Sequence, residues 1–249
     1  SHYVRGGFDT LADALADVIR EGGGDVFTRH EAARVVCEGR QAMAVRTTDG
    51  TEIPGRVFVS NISPYVLHGH LLPQHSRSKR WLRRLSNLEP SVSTVGVYLG
   101  VSPQLARSIP DSLTFWYAHT DHDRIYRNIQ EGVLDADDHL VVLRGVEQTD
   151  YPTILLMQFA TQAASDSWRE EKMRVAQRMI DRADAIIPGF KEGVNEIVVG
   201  SPDTFERYTA NTGGALYGFE NTYSLYGEAR MPTRTHIDNL YQVGHWQRP

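Results

Sequence analysis

Among the residues whose type and spacing could do chemistry, the ten histidines come first. His68, His70 and His75 lie close together, and His119 and His122 alternate with Asp121 and Asp123. Such groups hold a metal only when several converge at about 2 Å with partners behind them. The run from His119 to Asp123 reads instead as a polar loop after an aromatic strand, and no metal is expected. Asp135, Asp137 and Asp138 resemble part of a calcium loop without its central glycine or closing glutamate, so a solvated acidic turn is expected. Nucleophilic hydrolysis has no foothold, since no G-x-S-x-G elbow occurs. The single cysteine, Cys37, sits among Val35 and Val36 as a packing thiol. No G-x-x-x-x-G-K-[ST] and no G-x-G-x-x-G occurs to cradle phosphates. Gly22, Gly23 and Gly24 follow a helix rather than a strand, the context of a helix stop.

One charged run stands out. Arg77, Lys79, Arg80, Arg83 and Arg84 surround Trp81, Leu82 and Leu85 in a chain of net charge -5. Such a segment can rest on an anionic membrane surface, each basic side chain contributing about 1 kcal/mol there. The other reading is a solvated helix whose apolar side packs on its own domain.

The elements that must position these residues follow from periodicity. Asp9 to Glu21 predicts an amphipathic helix through Phe8, Leu11, Leu15, Val18 and Ile19. Strands are predicted at Asp25–Arg29, Gln41–Thr48 and Glu52–Ser60, the last broken at Pro54-Gly55, with Val35–Glu38 in the same sheet and Asp49-Gly50 as a hairpin turn. A short helix is expected at Tyr65–Leu72. Further strands are expected at Ser91–Val101, Leu113–Ala118, Leu140–Val146, Ile154–Thr161, Val194–Val199 and Leu240–Val243. Ser165–Ile187 is the strongest helix, and a short one spans Ser201–Arg207. Strands and helices interleave without a βαβ rhythm, so the fold class expected is α+β, a mixed sheet flanked by helices. Of the 249 residues 41% are hydrophobic and 23% charged, an ordinary globular balance with no apolar run of membrane-spanning length. The acidic balance gives no reason to expect nucleic acid, and lone cysteine usage suits a reducing cytoplasm. Ser1-His2 and the stop at Pro249, just past a strand, read as cut ends.

Several motifs in order resemble the phytoene desaturases and carotenoid isomerases, flavoproteins of the amine-oxidase class. Tyr3 to Leu15, with Gly6, Gly7, Leu11, Ala14 and Leu15, is similar to that family's "Y-P-x-G-G-x-x-x-L-x-x-A-L". The Asp49-Gly50 hairpin and Val57-Phe58-Val59-Ser60-Asn61 with Pro64 follow. Pro202-Asp-Thr-Phe205-Glu-Arg207, Gly213-Gly214-Ala-Leu-Tyr217-Gly218 and Asn239-Leu240-Tyr241-Gln-Val-Gly244 come last in the family's order.

The resemblance implies an FAD domain interrupted by a substrate domain: residues 1–64 a flavin-domain segment, 65–200 the substrate domain, and 201–249 the return. It also implies that both glycine-rich phosphate loops lie outside these residues, so that the flavin site is incomplete and the chain alone inactive. Gly6 and Gly7 match the turn leading to the cofactor. Ala32 or Ala33 stands where the family has a valine against the adenine, a loss of bulk. Gly244 precedes a position that is often acidic in the family and is His245 here. The implied reaction is hydride transfer from an apolar isoprenoid or carotenoid-like substrate to flavin. That makes Phe115, Trp116, Tyr117, Tyr217 and Phe219 the expected substrate contacts, and it adds weight to peripheral membrane contact at Arg77–Arg84. Two alternatives stay open: a non-catalytic apolar-ligand or partner-binding protein that keeps the fold, and an amine oxidase.

Overall fold

A computed structural model describes residues 4, 7–110, 113–134, 138–144, 152–225 and 230–247. Helix α1 (Gly7–Glu21) comes first. The strands β1 (Ala32–Glu38), β2 (Gln41–Thr47), β3 (Glu52–Pro54) and β4 (Phe58–Ser60) follow. A single turn, α2 (Pro64–Val66), widens into a π-turn at Leu67–Leu71, where the Leu72 N–H reaches back to Leu67 O. Next come α3 (Lys79–Leu85), β5 (Ser93–Val101), α4 (Pro103–Ser108), β6 (Leu113–Tyr117) and α5 (His122–Gln130). The remainder is β7 (His139–Arg144), β8 (Thr153–Ala160), α6 (Trp168–Ile186), β9 (Val194–Gly200), α7 (Pro202–Thr209) and β10 (Leu240–Gln242). The mixed α and β architecture is the one expected.

Contacts divide the chain into two compact units, Ser1–Thr28 with Thr94–Ser201 and Arg29–Ser93 with Pro202–Pro249. The first is built on a five-stranded sheet of order β6-β7-β8-β5-β9. Alternation along its strands sends Val95, Val97, Leu99, Val101, Leu140, Val142, Ile154 and Leu156 to one face, all buried. Helix α6 covers that face with Trp168, Val175, Met179, Ile180 and Ala183. Each fully buried aliphatic side chain there contributes about 1.5–3 kcal/mol. Helix α1 ends as its glycines require: Gly24 N–H bonds Ile19 O and Gly23 N–H bonds Arg20 O, the paired bonds of a Schellman stop. None of its residues is buried, so the Phe8, Leu11, Leu15, Val18 and Ile19 stripe lies open.

The second unit holds the antiparallel meander β1-β2-β3 and a separate parallel pair, β4 with β10. Asp49-Gly50 turns the hairpin as expected, with Gly50 N–H on Thr47 O. Asn239 ties the two sheets together: its amide donates to Ala42 O and Arg56 O and accepts from Ala42 N–H. One core gathers Val35, Ala42, Leu67, Leu71, Leu72, Ile237 and Leu240. Cys37 is half-buried beside it, and burial pushes its thiol pKa up, as suits a packing thiol. A second core joins Leu85, Leu88, Met231, Phe219 and Trp246.

Two expectations are corrected. Asp25–Arg29 is not a strand, because Arg29 takes a left-handed φ of 61° that breaks extended pairing. The stretch after Tyr117 is not all loop: Asp121 accepts the Arg124 N–H and starts α5. Strand β7 is seen to Arg144; Gly145 and Val146, like Gly6 and the acidic run 135–137, lie outside the described residues.

Candidate substrate groove and flavin-side turns

The sheet face opposite α6 carries the candidate site. Register fixes its members. Leu113, Phe115 and Tyr117 pair with Leu143, Val141 and His139; Val141 and Leu143 pair in turn with Met157 and Leu155. Tyr98 pairs with Val198 and Gly100 with Glu196. Since their strand neighbours fill the core, all of these point the other way. The face is apolar and aromatic, and in the first unit it is largely open: Tyr98, Leu113, Phe115, Tyr117 and Val198 are exposed. Over its β5 and β9 end lies a groove of about 900 Å³ lined by Tyr98, Gly100, Leu143, Thr153, Leu155, Asn195, Glu196 and Val198, with Gly7, Phe8 and Asp9 of α1 as one wall. Partial burial pushes the Tyr98 phenol pKa up.

The other end of the face is polar underneath. His139 is buried, stacked at 5.5 Å on Phe159, and its Nε2 accepts the Phe159 N–H at 2.9 Å. Its proton therefore sits on Nδ1, and burial lowers its pKa. Asp138 is held by His119 Nε2 at 3.2 Å and Asn128 Nδ2 at 2.7 Å. His122 meets Tyr117 edge-on at 4.7 Å. Among the described residues no three His, Cys, Asp or Glu side chains converge as metal ligands.

The sequence-based candidates fall in different places. Phe115 and Tyr117 stack at 6.3 Å on the open face, on strand β6 and outside the groove lining. Trp116 points the opposite way and packs on the α6 core. Phe219 is corrected: fully buried in the second unit and edge-on to Trp246 at 5.0 Å, it offers a ligand no surface. Tyr217 is half-exposed in that unit, its N–H on Ser91 Oγ. Ala32 and Ala33 open β1 and are exposed. The residues that line the groove beside Gly7, above all Tyr98, Gly100, Leu155 and Glu196, were missed, although the alternation of Tyr98 and Gly100 against Val97 and Leu99 was readable.

In the second unit β4 and β10 end side by side at Asn61 and Gly244. Gly244 has φ 93°, and a Cβ there would lie 1.8 Å from Asn61 Oδ1, so only glycine fits. Gly218 is equally confined, with His245 O 2.6 Å from a would-be Cβ. His245 sits 3.4 Å from Asn211 Nδ2, and its carbonyl accepts from Arg230; partial burial and then the Arg230 charge lower its pKa. Near the same strands His68 is buried, its Nε2 3.0 Å from Gln242 Oε1 and its ring 4.6 Å from Trp81 and 5.6 Å from His236. Burial above all, with His236 nearby, brings its pKa down to about 4, against a smaller upward pull from the Gln242 bond.

The basic helix α3 is two-sided. Ser78 caps it, Leu85 is buried, and Trp81 packs on the second core. Arg77 donates to Leu72 O and His70 O, and Arg84 to Arg230 O. Lys79, Arg80 and Arg83 remain turned to solvent. The apolar side is thus committed to its own unit, and only charge faces outward.

A flavin needs strand ends and a cradle of helix-start backbone N–H groups for its phosphates. The parallel pair closing on Asn61 and Gly244 fits the first requirement. No G-x-G-x-x-G occurs in the 249 residues for the second.

The mouse "Pyridine nucleotide-disulfide oxidoreductase domain-containing protein 2" is 28% identical over 287 aligned positions, which cover 99% of this chain and 48% of that protein. The neurosporene-forming phytoene desaturase of Rhodobacter capsulatus is 26% identical over all of this chain and 50% of its own length. Among solved structures, a putrescine oxidase double mutant has a TM-score of 0.62 at 12% identity, covering 96% of this chain and 47% of that one. The chain spans about half the length of the curated relatives it matches. The family model described as flavin containing amine oxidoreductase matches residues 1–247. The chain therefore belongs to the flavin-containing amine oxidoreductase family, whose cofactor is FAD.

Proposed function

We propose that the whole protein oxidises or isomerises an apolar isoprenoid or carotenoid-like molecule, and that this chain supplies its substrate surface. FAD, when bound, accepts a hydride from substrate carbon, so the protein's task is to bind, orient and exclude water. The observation that carries the reading is the open apolar sheet face with its groove. Residues 65–200 provide most of that surface, with Gly7, Phe8 and Asp9 as one wall of its groove, and in the other unit Gly244 and His245 serve as flavin-side turns. The carotenoid-related names among the relatives support the substrate class. The exposed Lys79, Arg80 and Arg83 give the protein a place to touch an anionic membrane in which such substrates dissolve.

Full-length protein, loaded with FAD and held without oxygen, tests the reading. An isoprenoid polyene should bleach the flavin's visible absorption. A protein that takes up no FAD, or whose flavin is bleached by aliphatic amines and by no isoprenoid, would overturn it.

A further inference from the structure

We propose that Asn211 is a positioning residue that keeps the His245 proton on Nδ1, so that the turn just past β10 offers that N–H to an oxygen atom of the cofactor. This rests on the flavin-side reading of Gly244 and His245 above, and adds which ring atom acts and what sets it. Every bonding position of the Asn211 amide is used. Its Oδ1 accepts the Trp246 indole N–H at 3.0 Å, and its Nδ2 donates to Ala215 O at 3.2 Å. An indole N–H only donates and a carbonyl oxygen only accepts, so the amide has one orientation. Its second N–H is left for His245 Nε2, 3.4 Å away. A proton on that nitrogen would set two N–H groups head to head, so Nε2 carries the lone pair and Nδ1 the proton.

Asn211 is itself held in place. Its backbone N–H bonds Thr209 Oγ1 at 3.1 Å, its carbonyl accepts the Gly214 N–H at 2.8 Å, and its Trp246 partner is fully buried. His245 is exposed, and its Nδ1 bonds no described residue. Arg230 donates to the His245 carbonyl at 3.2 Å and fixes the turn from the backbone side. Partial burial and then that guanidinium lower the imidazole pKa, so the ring is uncharged at neutral pH. Strand β10 runs parallel to β4, and ligands of parallel sheets lie beyond the carboxyl ends of the strands, where His245 stands. An N–H there suits a carbonyl, hydroxyl or phosphate oxygen and gives an ammonium nothing to bond.

Long-range proton–nitrogen NMR of flavin-free full-length protein, labelled at histidine, tests the first half; the His245 signals are those lost in His245→Asn. The wild-type ring should carry its proton on Nδ1 and a bare Nε2. Asn211→Asp, which removes the amide donor, should move the proton to Nε2 or charge the ring. Titration with FAD tests the second half. An asparagine amide nitrogen reaches about as far as Nδ1, and that of glutamine about as far as Nε2. His245→Asn should therefore keep the wild-type Kd, while His245→Gln and His245→Ala should raise it roughly tenfold, the weight of one hydrogen bond. A wild-type ring protonated on Nε2 would overturn the proposal. So would a folded Asn211→Asp whose ring keeps its proton on Nδ1 alone; if that variant does not fold, the wild-type spectrum and the His245 series decide. The expected tautomer with equal FAD affinity in all three His245 variants would overturn the cofactor contact and leave the flavin reading of the whole protein standing. Full-length protein that binds no FAD would sink that reading as well.

Discussion

At the residue scale, two side chains make separate, checkable demands. His68 is neutral in the fold because burial holds its pKa near 4, below the ordinary 6.5. The unfolded chain therefore takes up the proton first, and the stability His68 contributes is full above about pH 6.5 and lost as pH falls through 4. A depression of this size corresponds to about 3 kcal/mol. Urea midpoints followed by tryptophan emission should fall between pH 7 and pH 4.5, and His68→Gln should flatten that slope; an unchanged slope would show that another group carries it. Gly244 makes a geometric demand. Gly244→Ala should cost about 1–3 kcal/mol, since φ 93° and the Asn61 side chain both oppose a Cβ. Pairing it with Asn61→Gly should recover only part of the loss, because the backbone strain remains. Neither demand was legible beforehand. The sequence placed Gly244 only as a family-matched position before His245, and the approach of Asn61 depends on the parallel pairing of Phe58 with Leu240, far apart in the chain.

Elements with a strong local signal were readable, and those defined by partners were not. Helix α6, strands β5 and β8 and the Asp49-Gly50 hairpin follow from period and turn chemistry alone. Helices α4 and α5 are short, but α5 carries Ile125 and Ile129 four residues apart behind the Asp121 cap, a helical pattern that the loop reading passed over. The groove escaped notice because it is assembled from β5, β8, β9 and the start of α1, which only the sheet order brings together. Aromatic clustering pointed instead to β6 and to Phe219, one beside the groove and the other in a core. Core packing on α6 predicts that Met179→Ala loses about 2–5 kcal/mol, measured by chemical denaturation. Helix α3 yields a different prediction. Its exposed charges should bring full-length protein down with phosphatidylserine vesicles at low salt, and charge reversal at Lys79, Arg80 and Arg83 should abolish this. Sedimentation that survives both the reversal and high salt would assign membrane contact to another surface.

For the whole molecule, the proposed reading gives the two units different tasks. One holds an apolar sheet face with a groove; the other holds parallel strands that end towards Asn61 and Gly244. The family resemblance was readable from ordered motifs, and the match over residues 1–247 agrees with it. It could not say which surface meets substrate, because motif order carries no side-chain direction. The most direct test is anaerobic flavin reduction by an isoprenoid in full-length protein carrying Gly100→Val. The account predicts normal FAD content with reduction slowed by about tenfold or more, the effect of filling the floor of the groove. Reduction at the unaltered rate would contradict it.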